Sequence, residues 1–195
     1  MSRRRSDRPR RTSRTAKNTL SPPLKKLLCV PLRLPLRTSA VKSFVLKLLP
    51  EHLQAIIAHA MSTYPDECCG ILLGQMADDG KTLVEVWATE NAWSAEAAEY
   101  YPDAEGGTSR RRYAIAPSDM LKAQKQARDR HLEIIGFYHS HPDNAAIPSE
   151  FDRSCAWERY SYIIVSLQQG QAGDILSWCL DDDRQFQPEK IITPD

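Results

Sequence analysis

The sequence lacks several features that would assign its class directly. Its 195 residues contain no run of 18 uncharged apolar residues, which excludes a transmembrane helix and gives no reason to expect a membrane partner. The five cysteines are odd in number and include no C-x-x-C pair, so neither a disulfide framework nor a thiolate zinc site is predicted. A reducing, cytoplasmic compartment is therefore the default expectation.

Charge is distributed unevenly, although the net charge of the whole chain is only +1. Residues 1–40 hold twelve of the 26 Lys and Arg residues but only one of the 25 acidic residues, Asp7. Residues 41–195 therefore hold 14 basic and 24 acidic groups, a net charge of −10. An acidic domain of this kind disfavours nucleic acid as a partner.

The first forty residues are predicted to form a unit separate from a folded domain at 41–195. They are rich in Arg and Ser and show no apolar periodicity, which is typical of disordered chain. Three interpretations stay open: a solvated tail with weak affinity for polyanions, an organellar transit peptide, or an extension from a mis-assigned start. The tail and the mis-assigned start are favoured because nothing after residue 45 requires this segment.

Helical and strand patterns alternate through the rest of the chain, which predicts an α/β fold around a mixed sheet. Helices are predicted over Glu51–Tyr64, Pro117–His131 and Ser149–Trp157. Strands are predicted over Val45–Leu49, Cys68–Leu73, Thr82–Thr89, Leu132–Tyr138, Tyr162–Leu167 and Ile175–Leu180. His52 and His59 fall opposite the apolar stripe of the first helix and are predicted to be solvated.

The polar stretch Ser94–Arg112 predicts a surface loop. Its Arg110–Arg112 run is interpreted first as a solvated charge cluster, because such runs usually face water. A loop of this length can also serve as a lid or a docking element, and that alternative stays open.

One short stretch combines residue types that suit a metal ion. Alternate side chains of an extended segment share a face, so His139 and His141 point the same way from a strand end while Ser140 points away. Asp152 follows in the first turn of the next predicted helix, three residues after Ser149. Two imidazoles and a carboxylate leave a fourth tetrahedral position for water, which is typical of a catalytic zinc site. Each part alone also has a structural explanation, since Ser149 and Asp152 match an ordinary helix-capping pattern.

The complete pattern resembles the JAMM motif of the MPN-plus metallopeptidases, which is H-x-H-P, a spacer, and then S-x-x-D. The matching residues are His139-Ser140-His141-Pro142 and, after six residues, Ser149-Glu150-Phe151-Asp152. Glu67, just before a predicted apolar strand, fits the position of the family's remaining glutamate. The resemblance covers roughly residues 45–190 and is strongest to the small stand-alone bacterial members. It implies an α/β fold with a mixed, strongly curved sheet flanked by helices, an architecture like that of cytidine deaminases.

The resemblance also implies a function and a role for each site residue. His139, His141 and Asp152 would bind one Zn²⁺ per chain, Glu67 would act as general base, and Ser149 would donate to the oxyanion. The reaction would be peptidase or isopeptidase hydrolysis of the amide bond next to the C-terminal Gly-Gly of a ubiquitin-like or sulfur-carrier protein.

Other interpretations remain beside this one. A catalytically silent MPN-type interaction module is the main alternative, although such modules usually lack some of the ligands. A nucleic-acid-associated protein that uses the Arg-rich segment is opposed by the acidic domain. Cys69 is interpreted as a small buried hydrophobe and not as a nucleophile. The sequence leaves the oligomeric state unknown.

Overall fold

The computed structural model describes residues 45–99 and 107–193, which form seven strands and four helices. In chain order these are β1 (Val45–Lys47), α1 (Pro50–Thr63), β2 (Cys69–Ala77), β3 (Gly80–Thr89), α2 (Ala95–Ala98), α3 (Pro117–Asp129), β4 (Glu133–Pro142), α4 (Glu150–Cys155), β5 (Ser161–Gln168), β6 (Gln171–Leu180) and β7 (Phe186–Ile192). None of these four helices is long and apolar enough to cross a bilayer. The tail predicted for residues 1–40 lies outside the described residues, so its boundary with the domain stays a prediction.

The strands form one mixed sheet that closes into a barrel in the order β1-β3-β2-β4-β5-β6-β7. Strand β1 closes the barrel because it pairs in parallel with β3 on one side and with β7 on the other. Strands β4 and β5 form the third parallel pair, and the remaining neighbours are antiparallel. The sheet is therefore mixed, as the sequence predicts, and it curves far enough to close.

Two hydrophobic clusters pack the longer helices against the sheet. Their helical members are Ile56 and Ala60 of α1 in the first cluster and Ala123 and Ala127 of α3 in the second. Strand β2 serves both clusters, because Leu72 joins the first while Ile71 and Leu73 join the second. The α/β prediction is correct: both helices cover a sheet that buries side chains on its two sides.

Strand β4 uses the same alternation to position its polar residues. Phe137 packs in the second cluster and Tyr138 in the first. His139 and His141 therefore share the side of Phe137, and Ser140 takes the side of Tyr138. The two histidines share one face of a strand end, as their spacing predicts.

His59 does not occupy the solvated position predicted for it. Its Nδ1 atom lies 2.9 Å from the hydroxyl oxygen of Tyr138 in a partly buried contact. The Tyr138 ring fits there because residue 70 is glycine: a Cβ atom on Gly70 would lie 2.3 Å from Tyr138 Cε1. His52 has a local role, since its Nδ1 accepts a hydrogen bond from the backbone nitrogen of Leu49 at the start of α1.

The sequence pattern does not predict β7, because its central residues are not apolar. Glu189 lies in the middle of this strand with a fully buried side chain. A carboxylate is buried only at a high desolvation cost unless partners compensate it. The local sequence pattern contains the charged residue but not the distant partners that compensate it. The pattern therefore does not indicate a buried strand.

The partners of Glu189 come from other strands of the barrel. Its Oε1 atom accepts hydrogen bonds from Lys81 Nζ at 3.2 Å and from Cys179 Sγ at 3.1 Å, and its Oε2 accepts one from Ser177 Oγ at 2.6 Å. Lys81 also donates to Ser161 Oγ at 2.9 Å. This polar cluster connects β3, β5, β6 and β7.

The stretch predicted as one surface loop, Ser94–Arg112, is more ordered than expected at both ends. It begins with the short helix α2, and residues 100–106 lie outside the described residues. At its far end, Gly107 accepts a hydrogen bond of 3.1 Å from Trp93 Nε1. Ser109 Oγ donates to Asp66 Oδ1 at 2.8 Å, which fastens the end of the stretch to the segment that precedes β2.

Candidate functional site

Three side chains with metal-binding atoms converge where β4 ends and α4 begins. The Nε2 atoms of His139 and His141 lie 3.0 Å apart. Asp152 Oδ1 lies 3.5 Å from His139 Nε2, and Asp152 Oδ2 lies 3.7 Å from His141 Nε2. The three predicted ligands are therefore brought together, and they form a group in which all ligand atoms lie within 4.8 Å of one another.

The spacing of these atoms fits a tetrahedral zinc ion. Ligands held about 2.0–2.1 Å from zinc at tetrahedral angles lie about 3.3 Å from each other. The three separations of 3.0, 3.5 and 3.7 Å scatter around that value. Two imidazole nitrogens and one carboxylate oxygen are also ligand types that zinc accepts, and three protein ligands leave one position for water or substrate.

The orientation of His141 and the neutral state of His139 suit metal binding. The Nδ1 atom of His141 lies 2.7 Å from the carbonyl oxygen of Ala145. A carbonyl oxygen only accepts, so Nδ1 carries the proton and Nε2 is the nitrogen that faces the site. Burial alone would lower the pKa of His141, but its hydrogen bonds with Asp152 and Ala145 raise it, so a metal competes with a proton for Nε2. Burial lowers the pKa of His139 to about 4, so that imidazole is neutral at physiological pH.

Asp152 is held in its charged form by the turn that starts α4. The backbone nitrogen of Ser149 donates to Asp152 Oδ2 at 2.6 Å, and Ser149 Oγ donates to the same oxygen at 2.7 Å. Burial alone would raise the pKa of Asp152, but His139, His141 and the Ser149 hydrogen bonds hold it well below the usual range. Oδ2 is thus satisfied locally, and Oδ1 is the oxygen left for a metal.

Ser149 therefore serves as a helix cap. Its hydroxyl oxygen accepts from the backbone nitrogen of Asp152 at 3.1 Å while its proton is donated to Oδ2 of the same residue. A hydroxyl group has only one proton to donate. Ser149 can therefore act as an oxyanion donor only after it releases Asp152 Oδ2.

Glu67 reaches the same site from the segment between α1 and β2. Its backbone nitrogen donates to the carbonyl oxygen of Ser109 at 2.8 Å, and its carbonyl oxygen accepts from Asn91 Nδ2 at 3.0 Å. The residue is only 6% exposed, and burial raises the pKa of its carboxyl group to about 8. A carboxyl group perturbed in this way beside a metal-binding group is typical of an acid–base residue.

All these groups except the buried His139 line one cleft with a volume of about 260 Å³. Its lining consists of Glu67, Arg111, Arg112, His141, Asn144, Ala145, Ile147, Ser149 and Asp152. A larger groove, of about 380 Å³, is lined by residues of β6 and β7 and contains none of the predicted site residues. The cleft is the candidate site because the predicted base, the predicted oxyanion donor and two predicted ligands line it.

Two residues that position this site are not found from the sequence. Ser140 Oγ accepts a hydrogen bond of 2.8 Å from the backbone nitrogen of Cys68, next to Glu67. Asn91 Nδ2 donates to the carbonyl oxygens of both Glu67 and Arg112, at 3.0 and 2.9 Å. No spacing marks Asn91, because its partners lie more than 20 residues away along the chain. For Ser140, strand alternation is the one sequence pattern that indicates its orientation, because it places the side chain on the opposite face from the histidines.

Cys69 has the character of a buried hydrophobe, as predicted. Burial raises the pKa of its thiol to about 11, so the thiolate that a nucleophile requires is scarce at neutral pH. Its Sγ lies 3.3 Å from Thr89 Oγ1. The cysteine thus packs beside the site without an activating base.

A sequence model for the prokaryotic homologs of the JAB domain matches residues 49–181, which is most of the chain. The chain belongs to this family. Its predicted membership of the small prokaryotic JAMM/MPN proteins is thereby confirmed, and so is the α/β fold that this membership implies. The further likeness to cytidine deaminases stays a prediction.

Two curated proteins and one solved structure are similar to much of this chain. The desampylase of Haloferax volcanii is 31% identical over 126 residues, which are 62% of this chain and 80% of the relative. The CysO-cysteine peptidase of Mycobacterium tuberculosis H37Rv is 25% identical over 140 residues, which are 71% of this chain and 85% of the relative. A solution structure of a Salinibacter ruber protein is 35% identical with a TM-score of 0.57, and the match covers 76% of this chain and 92% of that chain.

Proposed function

We propose that the protein is a zinc-dependent metallopeptidase or isopeptidase that hydrolyses an amide bond next to the C-terminal Gly-Gly of a ubiquitin-like or sulfur-carrier protein. The observation that carries this proposal is the convergence of His139, His141 and Asp152 at a cleft that Glu67 also lines. The desampylase and the CysO-cysteine peptidase among the relatives support hydrolysis of this kind.

In this proposal His139, His141 and Asp152 hold the metal, and Glu67 moves the proton. A bound Zn²⁺ supplies Lewis-acid polarisation of the scissile carbonyl group and lowers the pKa of water to roughly 7. The Glu67 carboxylate takes a proton from the attacking water and later delivers it to the nitrogen of the leaving amine. Its burial favours this proton transfer, because it raises the affinity of the carboxylate for a proton.

Glu67 must be ionised before it can act as a base. Burial raises its pKa to about 8, so without a bound metal ion the group is mostly protonated at neutral pH. A divalent cation bound by the neighbouring side chains favours the carboxylate form. Loading of the metal site would therefore increase the fraction of Glu67 that can act as a base.

Ser149 is proposed to stabilise the oxyanion that forms when water adds to the carbonyl carbon. Its hydroxyl lines the cleft and lies 2.7 Å from Asp152 Oδ2. The backbone nitrogen of Ser149 also donates to this oxygen, so Oδ2 keeps a partner if the hydroxyl turns away. Because of this second donor, Ser149 can act first as the helix cap and afterwards as the oxyanion donor.

Hydrolysis of a carrier fusion tests the proposed function. The substrate is a small carrier protein that ends in Gly-Gly followed by one further amino acid, and the product is detected by its mass. We expect metal-loaded protein to release that amino acid and the Asp152→Asn variant to fail. Intact substrate after prolonged incubation with zinc-loaded wild-type protein would contradict the proposal and favour the silent interaction module.

A further inference from the structure

We propose that Arg111 and Arg112 bind the free α-carboxylate of an amino acid released from the carrier tail. They would then make the site selective for a peptide bond to a C-terminal amino acid over an isopeptide bond to a lysine side chain. This inference rests on the proposed function, and it specifies the leaving group that the same cleft accepts.

The two arginines lie on the Glu67 side of the cleft. Both line it, and hydrogen bonds connect the segment that carries them to the segment of Glu67. The backbone nitrogen of Glu67 donates to the carbonyl oxygen of Ser109, and Asn91 Nδ2 bridges the carbonyl oxygens of Glu67 and Arg112. Both arginines also lower the pKa of Glu67, which is consistent with their proximity.

This position implies that the arginines contact the leaving group of the substrate. In the proposed reaction Glu67 protonates the leaving nitrogen, so that nitrogen must come within hydrogen-bond reach of Glu67. Groups beside Glu67 therefore lie near the amine product. In a released amino acid, the α-carboxylate is two bonds from the leaving nitrogen. In an isopeptide, the leaving nitrogen stands at the end of a lysine side chain, and no carboxylate is that close.

Arg112 is held in a fixed orientation that suits anion binding. Its guanidinium carbon lies 4.3 Å from the centre of the Phe151 ring, and its Nη1 donates to the carbonyl oxygen of Arg111 at 2.7 Å. Its buried Nε atom has no hydrogen-bond partner in the described part of the chain. A planar guanidinium group fixed in this way loses little entropy when it binds a carboxylate.

Neither arginine is neutralised by an acid within residues 45–99 and 107–193. The ion pairs found there involve Lys47, Lys81, Lys122, Arg130, His139, His141 and Arg153 as the basic partners. Other arginines of the domain are engaged, as in the Arg153–Glu150 pair. Two cations that form no ion pair among the described residues, at the edge of the cleft, are suited to an anionic substrate group.

A pair of matched substrates tests this inference. Both are the same Gly-Gly carrier joined to one amino acid, which ends in a free carboxylate in the first substrate and in a neutral carboxamide in the second. We expect wild-type protein to cleave the free acid at least roughly tenfold faster in kcat/KM, because a charge-assisted pair replaces a neutral contact. Arg111→Gln should lower kcat/KM for the acid by a larger factor than for the amide, because its effect on the pKa of Glu67 is common to both substrates. Arg112→Gln should act in the same direction, with its folding checked by thermal unfolding.

Arg110→Gln provides the matched control. Arg110 belongs to the same basic run and is exposed, but it does not line the cleft. This variant should keep the wild-type preference for the acid.

Three results would overturn the inference. Equal cleavage of the acid and the amide by wild-type protein would show that the arginines do not recognise the α-carboxylate. Faster cleavage of the same carrier joined to a lysine Nε atom would show that the cleft accepts isopeptides instead. Both results would still be consistent with the proposed hydrolysis. Failure to cleave any of the three substrates would contradict the proposed function and this inference together.

Discussion

The hydroxyl group of Ser140 accepts a hydrogen bond of 2.8 Å from the backbone nitrogen of Cys68. This contact joins the strand that presents His139 and His141 to the residue that follows Glu67. The proposed base and the proposed ligands come from segments about seventy residues apart, and the pairing of β2 with β4, which sets Cys69 opposite His139, fixes their relative positions. The Ser140 side chain extends this pairing by one contact toward Glu67, and it is fully buried.

Replacing Ser140 by alanine should therefore disturb both stability and activity. The variant leaves the buried Cys68 nitrogen without its acceptor, which costs about 1–3 kcal/mol. We expect urea unfolding to show that loss, and kcat to fall while zinc content stays near the wild-type value. Ser118→Ala, on the exposed first turn of α3, should change the unfolding free energy by less than about 0.5 kcal/mol. Equal behaviour of the two variants would argue against a positioning role for Ser140.

Removing a proposed ligand should remove the metal. Purified protein is expected to hold about one zinc per chain, and His139→Ala or Asp152→Asn should bind it far more weakly, because two protein ligands do not make a tight site. Elemental analysis after dialysis measures this directly. His131→Asn is the control, since His131 is exposed with a positive φ that asparagine tolerates. Full zinc occupancy in His139→Ala would refute the ligand assignment.

The metal-free protein should lose stability as the pH rises. Burial raises the pKa of Glu67 from 4.5 in the unfolded chain to about 8 in the folded protein. Below pH 4.5 both states hold the proton, and between that value and about 8 only the folded state does, so the unfolding free energy falls across this window. Glu67→Gln removes this contribution and should show a flatter pH dependence. Parallel curves for the two proteins, measured by urea unfolding with a chelator, would contradict the buried position of Glu67.

The polar cluster around Glu189 should be essential for folding but not for chemistry. Lys81→Met leaves the buried carboxylate without its cation and should lower the unfolding free energy by about 3–5 kcal/mol. Lys81→Met combined with Glu189→Leu should recover part of that loss, because no uncompensated charge remains. Lys47→Met removes the cation of an exposed pair and should cost less than about 1 kcal/mol. Similar losses in Lys81→Met and Lys47→Met would show that Glu189 is accessible to water.

Elements with a regular apolar pattern are predictable from the sequence, and their ends are less so. The stripe over Glu51–Tyr64 predicts α1 to within one residue at each end, because helix periodicity and core burial coincide there. Strand β4 extends to Pro142, four residues beyond the predicted end at Tyr138. Its last residues are polar because they belong to the site, and a hydrophobic pattern does not detect them.

The candidate site likewise has a part that the sequence predicts and a part that it does not. The convergence of His139, His141 and Asp152 follows from strand alternation and a short return to the next helix, both of which are local. The position of Glu67 follows only from resemblance to a family. The role of Asn91 and the position of Arg111 at the cleft depend on contacts between distant segments. No local pattern predicts such contacts.

The most direct test of the account is the Glu67→Gln variant, compared with wild-type protein in zinc content and in turnover of a Gly-Gly-extended carrier. Glutamine keeps the shape of the side chain and cannot serve as the base. We expect the variant to fold, to retain its zinc and to lose roughly a hundredfold or more in kcat. The exposed Glu90→Gln should behave like wild type. Near-wild-type turnover in Glu67→Gln would contradict the proposed mechanism, and loss of zinc along with activity would identify Glu67 as a ligand instead of a base.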